Sequence, residues 1–212
     1  MTDALPPFGL TVCGIEELCG HNGTGASHVL SILDPDHPVP EAFGTFGEHV
    51  RLELRFHDII GPIPGERAPT SEDVDAILAF GRTLQHEPGG AAHLLVHCHA
   101  GISRSTAAMT LILAQAMPEQ PAAAILALVH GIREKAWPNL RLIEIGDEKL
   151  GRGGTLVTAT HRLHRLQLER RPHLGAFMEE AGRTREIAAA RDHEPLPADD
   201  RTPDPPGTTG LG

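Results

Sequence analysis

Tyrosine is absent from this chain and tryptophan occurs once, so aromatic residues make up only 3% of it. The core of a 212-residue chain must then come from Ala, Leu, Ile and Val, which the 40% hydrophobic content can supply. Long apolar runs are missing too: none reaches the roughly 20 residues that span a bilayer. The opening Met1-Thr2-Asp3-Ala4 lacks the basic-then-apolar pattern of an export signal. These absences predict a cytoplasmic protein with no membrane span. Cysteine is scarce and odd in number, Cys13, Cys19 and Cys98, which argues against a disulfide framework. Basic residues are outnumbered, 18 Lys and Arg against 28 Asp and Glu, and the net charge of −10 argues against nucleic-acid binding, which needs a basic face to displace counterions. The imbalance is uneven: residues 1–132 carry 5 basic against 15 acidic side chains, residues 133–171 carry 9 against 5. That basic segment reads first as a solvated helical face and second as a flank for an anionic substrate.

What the chain does have is His97-Cys98-His99-Ala100-Gly101-Ile102-Ser103-Arg104-Ser105, set between apolar Leu94-Leu95-Val96 and an Ala/Leu-rich helical pattern. The stretch is therefore the turn from a buried strand into a helix. A cysteine there meets exposed backbone N–H groups and the positive end of the helix dipole, both of which favour a thiolate. The same N–H groups suit a phosphate. Arg104, six positions after Cys98, can fold its planar guanidinium over the loop and bind two phosphate oxygens, and Gly101 lets the loop curl.

These residues resemble the signature of cysteine-dependent protein phosphatases, His-Cys, five residues, Arg, then Ser or Thr, with His97, Cys98, Gly101, Arg104 and Ser105 filling its defining positions. Ser103-Arg104-Ser105 is most similar to the dual-specificity and atypical tyrosine phosphatase branch. His57-Asp58 together with Trp137-Pro138-Asn139-Leu140-Arg141 resembles the bacterial tyrosine-phosphatase-like proteins of that superfamily. The resemblance spans about residues 8 to 150. It implies an α/β, phosphotyrosine protein phosphatase-like fold with a central, mostly parallel sheet flanked by helices, and hydrolysis of phosphate monoesters, with protein phosphotyrosine as first substrate.

The pattern along the chain agrees with an α/β layering. Strands are predicted at Leu10–Cys13, His28–Leu33, Val50–Phe56 and His93–Val96. In the third, Val50, Leu52, Leu54 and Phe56 alternate with Arg51, Glu53 and Arg55. A brief helix at Ile15–Leu18 ends by Gly20. Ser71 is read as the cap of a helix that runs towards Pro88-Gly89-Gly90, and further helices are expected over about Ser103–Met117, after Pro121, from Asn139 to about Leu150, and through Leu156, Thr160, Leu163 and Leu166. On this reading residues 1–171 form the phosphatase domain, a core of about 8–150 plus a helical extension. Residues 172–212 are a weakly structured to disordered tail with room for one more helix before Arg191.

Cleaving a phosphate monoester needs a nucleophile, charge stabilisation and a proton for the leaving oxygen. Cys98 would attack to form a phosphocysteine. The N–H groups of His99, Ala100, Gly101, Ile102, Ser103 and Arg104, with the Arg104 guanidinium, would bind the phosphoryl oxygens, so no metal or other cofactor is needed. Asp58, where a strand runs out into the Gly61–Pro69 loop and 40 residues before Cys98, is the leading general acid, ahead of Asp34, Asp36 and Glu66; the resemblance implies the same. Ser105 would hydrogen-bond the Cys98 sulfur, and His97, turned away by strand alternation, would brace the loop. The loop lacks the lysines found in phosphoinositide-specific members. Trp137 is read as core, Asn139 as a turn cap, and His161 and His164 as surface residues.

The partner expected is a phosphorylated protein or a small phosphate ester. Three other readings compete: a zinc site at His97-Cys98-His99, a catalytically weak phosphate-binding pseudophosphatase, and sulfur transfer of the rhodanese kind. The same enzyme acting on a non-protein ester is a fourth. Sequence spacing favours none of them: no second Cys/His pair stands at zinc-site spacing, and sulfur transfer has no need of an arginine here.

Overall fold

A computed structural model of the chain describes residues 6–42, 46–84 and 92–197. Its order is β1 (Gly9–Gly14), a 3-10 helix (Ile15–His21), β2 (His28–Leu33), β3 (Val50–Arg55), α1 (Ser71–Thr83), β4 (His93–Cys98), α2 (Arg104–Ala116), α3 (Ala122–Ile132), α4 (Leu140–Lys149), α5 (Thr155–Arg170), α6 (His173–Glu180) and α7 (Thr184–Arg191). The four strands make one sheet in the order β1-β4-β2-β3 with every pairing parallel. Parallel strands need both faces covered, and the two inner strands accordingly read as apolar runs: every residue of β2 is buried, as is β4 from Leu94 to Cys98. Edge strand β3 turns Leu52 and Leu54 to the core as predicted, while Val50 at its start is exposed.

Strand periodicity sorts the side chains between two cores. Val12, Leu30, Ile32, Leu54, Leu94, Val96 and Cys98 join the large cluster beneath the helices. Cys13, Val29 and Leu95 face the opposite side, covered by Leu18 of the 3-10 helix with Ala26, Ala42 and Phe46. Cys13 and Cys98 therefore lie on opposite faces of the sheet, which keeps their sulfurs from meeting in a disulfide.

Helix α2 runs through the middle of the helical layer, buried at every position from Arg104 to Ala114. Small residues allow this. A Cβ on Gly146 of α4 would lie 2.2 Å from Leu111 Cδ2, so only glycine lets α4 approach so closely.

Most predicted elements stand, with differences at the ends. The α1 cap is Thr70, one residue before the predicted Ser71: its hydroxyl accepts from the Asp73 N–H at 3.4 Å while Asp73 Oδ2 accepts from the Thr70 N–H at 2.8 Å, a reciprocal capping box. The expected stop at Pro88-Gly89-Gly90 lies outside the described residues. The first helix is a 3-10 turn that continues through Gly20 to His21.

The larger correction concerns the C-terminal region. Residues 173–191, read from sequence as weakly structured, form α6 and α7. Met178 and Ile187 pack with fully buried Trp137 and with Ile102 of the Cys98–Arg104 loop. Those few apolar residues gain their burial from a surface formed by distant parts of the chain, so local composition gave no sign of it. The predicted tail from residue 198 onward lies outside the described residues. His164 is likewise not a surface residue: it is fully buried, its ring stacked on Trp137 with centroids 4.1 Å apart and planes 6° apart.

Candidate active site

Cys98, Arg104, Ser105, Asp34 and Asp58 lie outside the carboxyl ends of the strands, where open α/β sheets place their ligands. Cys98 is the last residue of β4, Asp34 follows β2, and Asp58 lies three residues beyond β3. β1 pairs Gly14 with Cys98. Gly101 then turns the chain at φ +68°, and a Cβ there would come within 2.4 Å of the Cys13 carbonyl carbon, so both the backbone conformation and the close approach require glycine.

The loop carbonyls are all held from outside. His99 O accepts from Ile15 N at 2.9 Å, Ala100 O and Gly101 O from the Arg133 guanidinium at 2.9 and 3.0 Å, Ile102 O from Trp137 N at 2.9 Å, and Ser103 O from Ala107 N at 3.0 Å and Asn139 N at 3.3 Å. Among the described residues no peptide bond is cis, and across a trans peptide the N–H points opposite to the carbonyl. The N–H groups of Ala100, Gly101, Ile102, Ser103 and Arg104 are thereby turned away from those outer partners. Among the described residues none of them donates to another protein group. Such a run of converging donors is an anion cradle.

Arg104 is 3% exposed. Its Nη1 donates to Asp34 Oδ1 at 2.5 Å and to the Phe56 carbonyl at 2.6 Å. Asp34, a competitor for the general acid in the sequence reading, is thus the partner that fixes the guanidinium. The Nε–Nη2 edge takes no protein acceptor among the described residues, and Nε is fully buried. A buried donor without a partner is costly, and this edge is the one with the geometry for two oxygens of a phosphate.

Cys98 is 2% exposed, with its sulfur 3.2 Å from Ser105 Oγ. His97 faces the other side of the sheet and is fully buried; burial above all pushes its imidazole down to about 4. His99 sits at the rim with its ring 4.5 Å from that of His37. His99 Nε2 accepts from the Asp34 N–H at 3.2 Å, which leaves the proton of the neutral ring on Nδ1, 3.6 Å from Asp34 Oδ2. Burial, and then the Arg104 charge, lowers the His99 pKa.

Asp58 Oδ1 accepts from Ser103 Oγ at 2.7 Å, Asn139 Nδ2 at 2.8 Å and Arg183 Nη1 at 3.3 Å. Asn139 also caps α4, accepting from Leu142 N at 3.1 Å. Oδ2 takes no hydrogen bond among the described residues. The loop after Asp58 is pinned: His57 and Arg67 exchange hydrogen bonds at 2.8 and 2.9 Å, Arg67 pairs with Asp73 at 2.8 Å, and Arg141 Nε donates to Pro69 O at 2.6 Å. Asp36 and Glu66 are exposed and make no hydrogen bond to the Cys98–Ser105 loop among the described residues.

Sequence reasoning missed Arg133, Arg183 and Glu186. Each acts from a distant helix end, and no local pattern distinguishes these residues from solvated charges.

Residues 53–113 match the family model PTPlike_phytase, described as Inositol hexakisphosphate. No curated protein matches the sequence. Among solved structures, human DUSP28 is similar at a TM-score of 0.51 and 16% identity, over 70% of this chain and 90% of that one. Human tyrosine phosphatase-like serine/threonine/tyrosine-interacting protein gives 0.50 and 18%, over 68% and 93%. Cydia pomonella PTP-2 phosphatase gives 0.51 and 19%, over 66% and 85%. The chain has the fold of the cysteine-dependent protein tyrosine phosphatase superfamily, and its residues His97 to Ser105 resemble that superfamily's signature.

Proposed function

We propose that the chain hydrolyses phosphate monoesters, protein phosphotyrosine first among them, through a phosphocysteine on Cys98. The observation that carries this reading is the loop itself: five consecutive carbonyls tied outward, the intervening N–H groups left without protein partners, and an Arg104 edge in the same condition. A phosphoryl group would satisfy these donors together, most fully as charge spreads over its equatorial oxygens in the transition state. Cys98 Sγ attacks phosphorus as the P–O bond to the leaving group breaks, and Asp58 Oδ2 gives its proton to the departing oxygen. The resulting carboxylate takes a proton from the water that attacks phosphocysteine, and Ser105 Oγ donates to the sulfur as it leaves.

The family model's description favours a second substrate, an inositol polyphosphate. Charge around the site supports a monophosphate instead. A polyphosphate needs several uncommitted cations, yet Arg55 pairs with Glu53 at 2.6 Å, Arg67 with Asp73 at 2.8 Å, Arg133 with Glu17 at 2.9 Å and Arg183 with Glu186 at 2.8 Å.

A metal-free panel of phosphotyrosine and phosphothreonine peptides, a phosphoinositide, inositol hexakisphosphate and aryl phosphates tests both readings. The highest kcat/KM is expected on phosphotyrosine. Preference for inositol hexakisphosphate would replace the substrate assignment, and rapid quench without any phosphocysteine would leave only a binding module.

A further inference from the structure

Ser103 is the N-cap of α2, a position where a serine hydroxyl ordinarily accepts from its own helix's N–H groups. Here it makes no such bond. Its hydroxyl instead donates to Asp58 Oδ1 at 2.7 Å and accepts from Arg183 Nη2 at 3.2 Å, while Arg183 Nη1 reaches the same Asp58 oxygen at 3.3 Å. The three side chains close a triangle between the phosphate-binding loop, the segment after β3 and the turn between α6 and α7.

Arg183 is itself held through its backbone and both Nη atoms. Its N–H donates to Met178 O at 2.8 Å, and Glu186, fully buried, accepts from Arg183 Nη2 at 2.8 Å, from the Trp137 indole at 2.7 Å and from Leu140 N at 2.9 Å. Burial works against the Arg183 charge, but Glu186 and Asp58 outweigh it. Burial pushes the Glu186 carboxyl up, against the pull of Arg183, Trp137 and Leu140. An isolated ion pair buried this deeply does little for stability compared with apolar packing, so its form calls for another explanation. The planar guanidinium supplies one, because a single rigid group spans two acceptors in different segments.

We infer that Arg183 is a positioning residue for the hydrolysis proposed above: it fixes Asp58 Oδ1 and Ser103 Oγ at one distance, so that Asp58 Oδ2 stays directed at the leaving-group oxygen of a phosphate in the loop. Residues 173–191 would then be part of the catalytic apparatus although they touch no substrate. The inference rests on the reading of Asp58 as general acid.

The test compares aryl phosphates of graded leaving-group pKa. Losing the proton donor matters most when the leaving oxygen is basic. R183Q should lower kcat about tenfold on phenyl phosphate and less than about threefold on 2,4-dinitrophenyl phosphate, with KM nearly unchanged. Added to D58N, it should cost less than about twofold more, because the two act through one oxygen. R183Q strands a buried Glu186, so R183Q/E186Q, which removes both charges, is measured alongside and should show the same leaving-group dependence with a restored melting temperature. An equal loss across all leaving groups, or effects that multiply with D58N, would reduce Arg183 to a structural residue and overturn the inference while leaving the phosphatase reading intact. A flat leaving-group response in D58N would remove Asp58 as the acid and this inference with it. A wild-type chain inert on every ester would bring down the proposed function itself.

Discussion

Two regions meet at Ser103, and they are built in opposite ways. From β4 through α2 the candidate site is contiguous: strand, loop and helix bring Cys98, Gly101, Arg104 and Ser105 together within eight residues, and the family match covers this part of the chain. The network behind it is scattered. Asp58, Trp137 with Asn139, and Arg183 with Glu186 come from three separate places in the chain and converge only once α4 and α7 are packed. A phosphate cradle can be specified by a short sequence because its donors are backbone groups. Placing a carboxylate relative to that cradle requires the whole fold.

Three changes would separate the two regions, in order of expected effect. Cys98→Ser should lower turnover on the order of 10⁴-fold or more while vanadate binding by calorimetry and the melting temperature stay close to wild type; measurable turnover would refute the nucleophile. Glu186→Ala should do the reverse. It leaves the buried Arg183 with only the longer pairing to Asp58 and strips acceptors from Trp137 and Leu140, at a cost of roughly 3 kcal/mol, visible as a drop on the order of 10 °C in melting temperature. A change of a degree or two would mean that the C-terminal helices dock without this network.

The third is pH. Burial holds His97 at about 4 and drives His164 well below the usual value near 6.5. The unfolded chain therefore takes up these protons first as pH falls, so the stabilisation is complete above about 6.5 and lost towards 4, on the order of 3 kcal/mol for His97 alone. Glu186, whose carboxyl is raised by burial, opposes this, because its protonation favours the folded state as the pH drops to 4.5. Urea midpoints from pH 7 to 4 should decline on balance. A flat profile would indicate that neither histidine is buried as described.

Sequence reading reached the strands, α2 and the loop because each carries a periodic or contiguous signal. It placed Asp58 from the end of a clean alternation and Ser105 from the signature. It did not reach Asp34 as the partner of Arg104. An aspartate after a strand is equally a turn residue, and only the parallel pairing of β2 with β4 brings it 2.5 Å from the guanidinium. Nor could it distinguish His164 from a surface histidine, since its burial depends on stacking with Trp137 from the connection between α3 and α4.

The order of residues along the chain thus settled the chemistry on offer: a thiol, a glycine turn and a guanidinium in one strand-to-helix junction, where neighbours in sequence are necessarily neighbours in space. Tertiary packing alone decided which carboxylate fixes Arg104, and that an arginine 85 residues beyond the thiol ties Asp58 to the loop. Those relations join segments far apart in the chain, and distances between such segments are fixed only when the core beneath them closes.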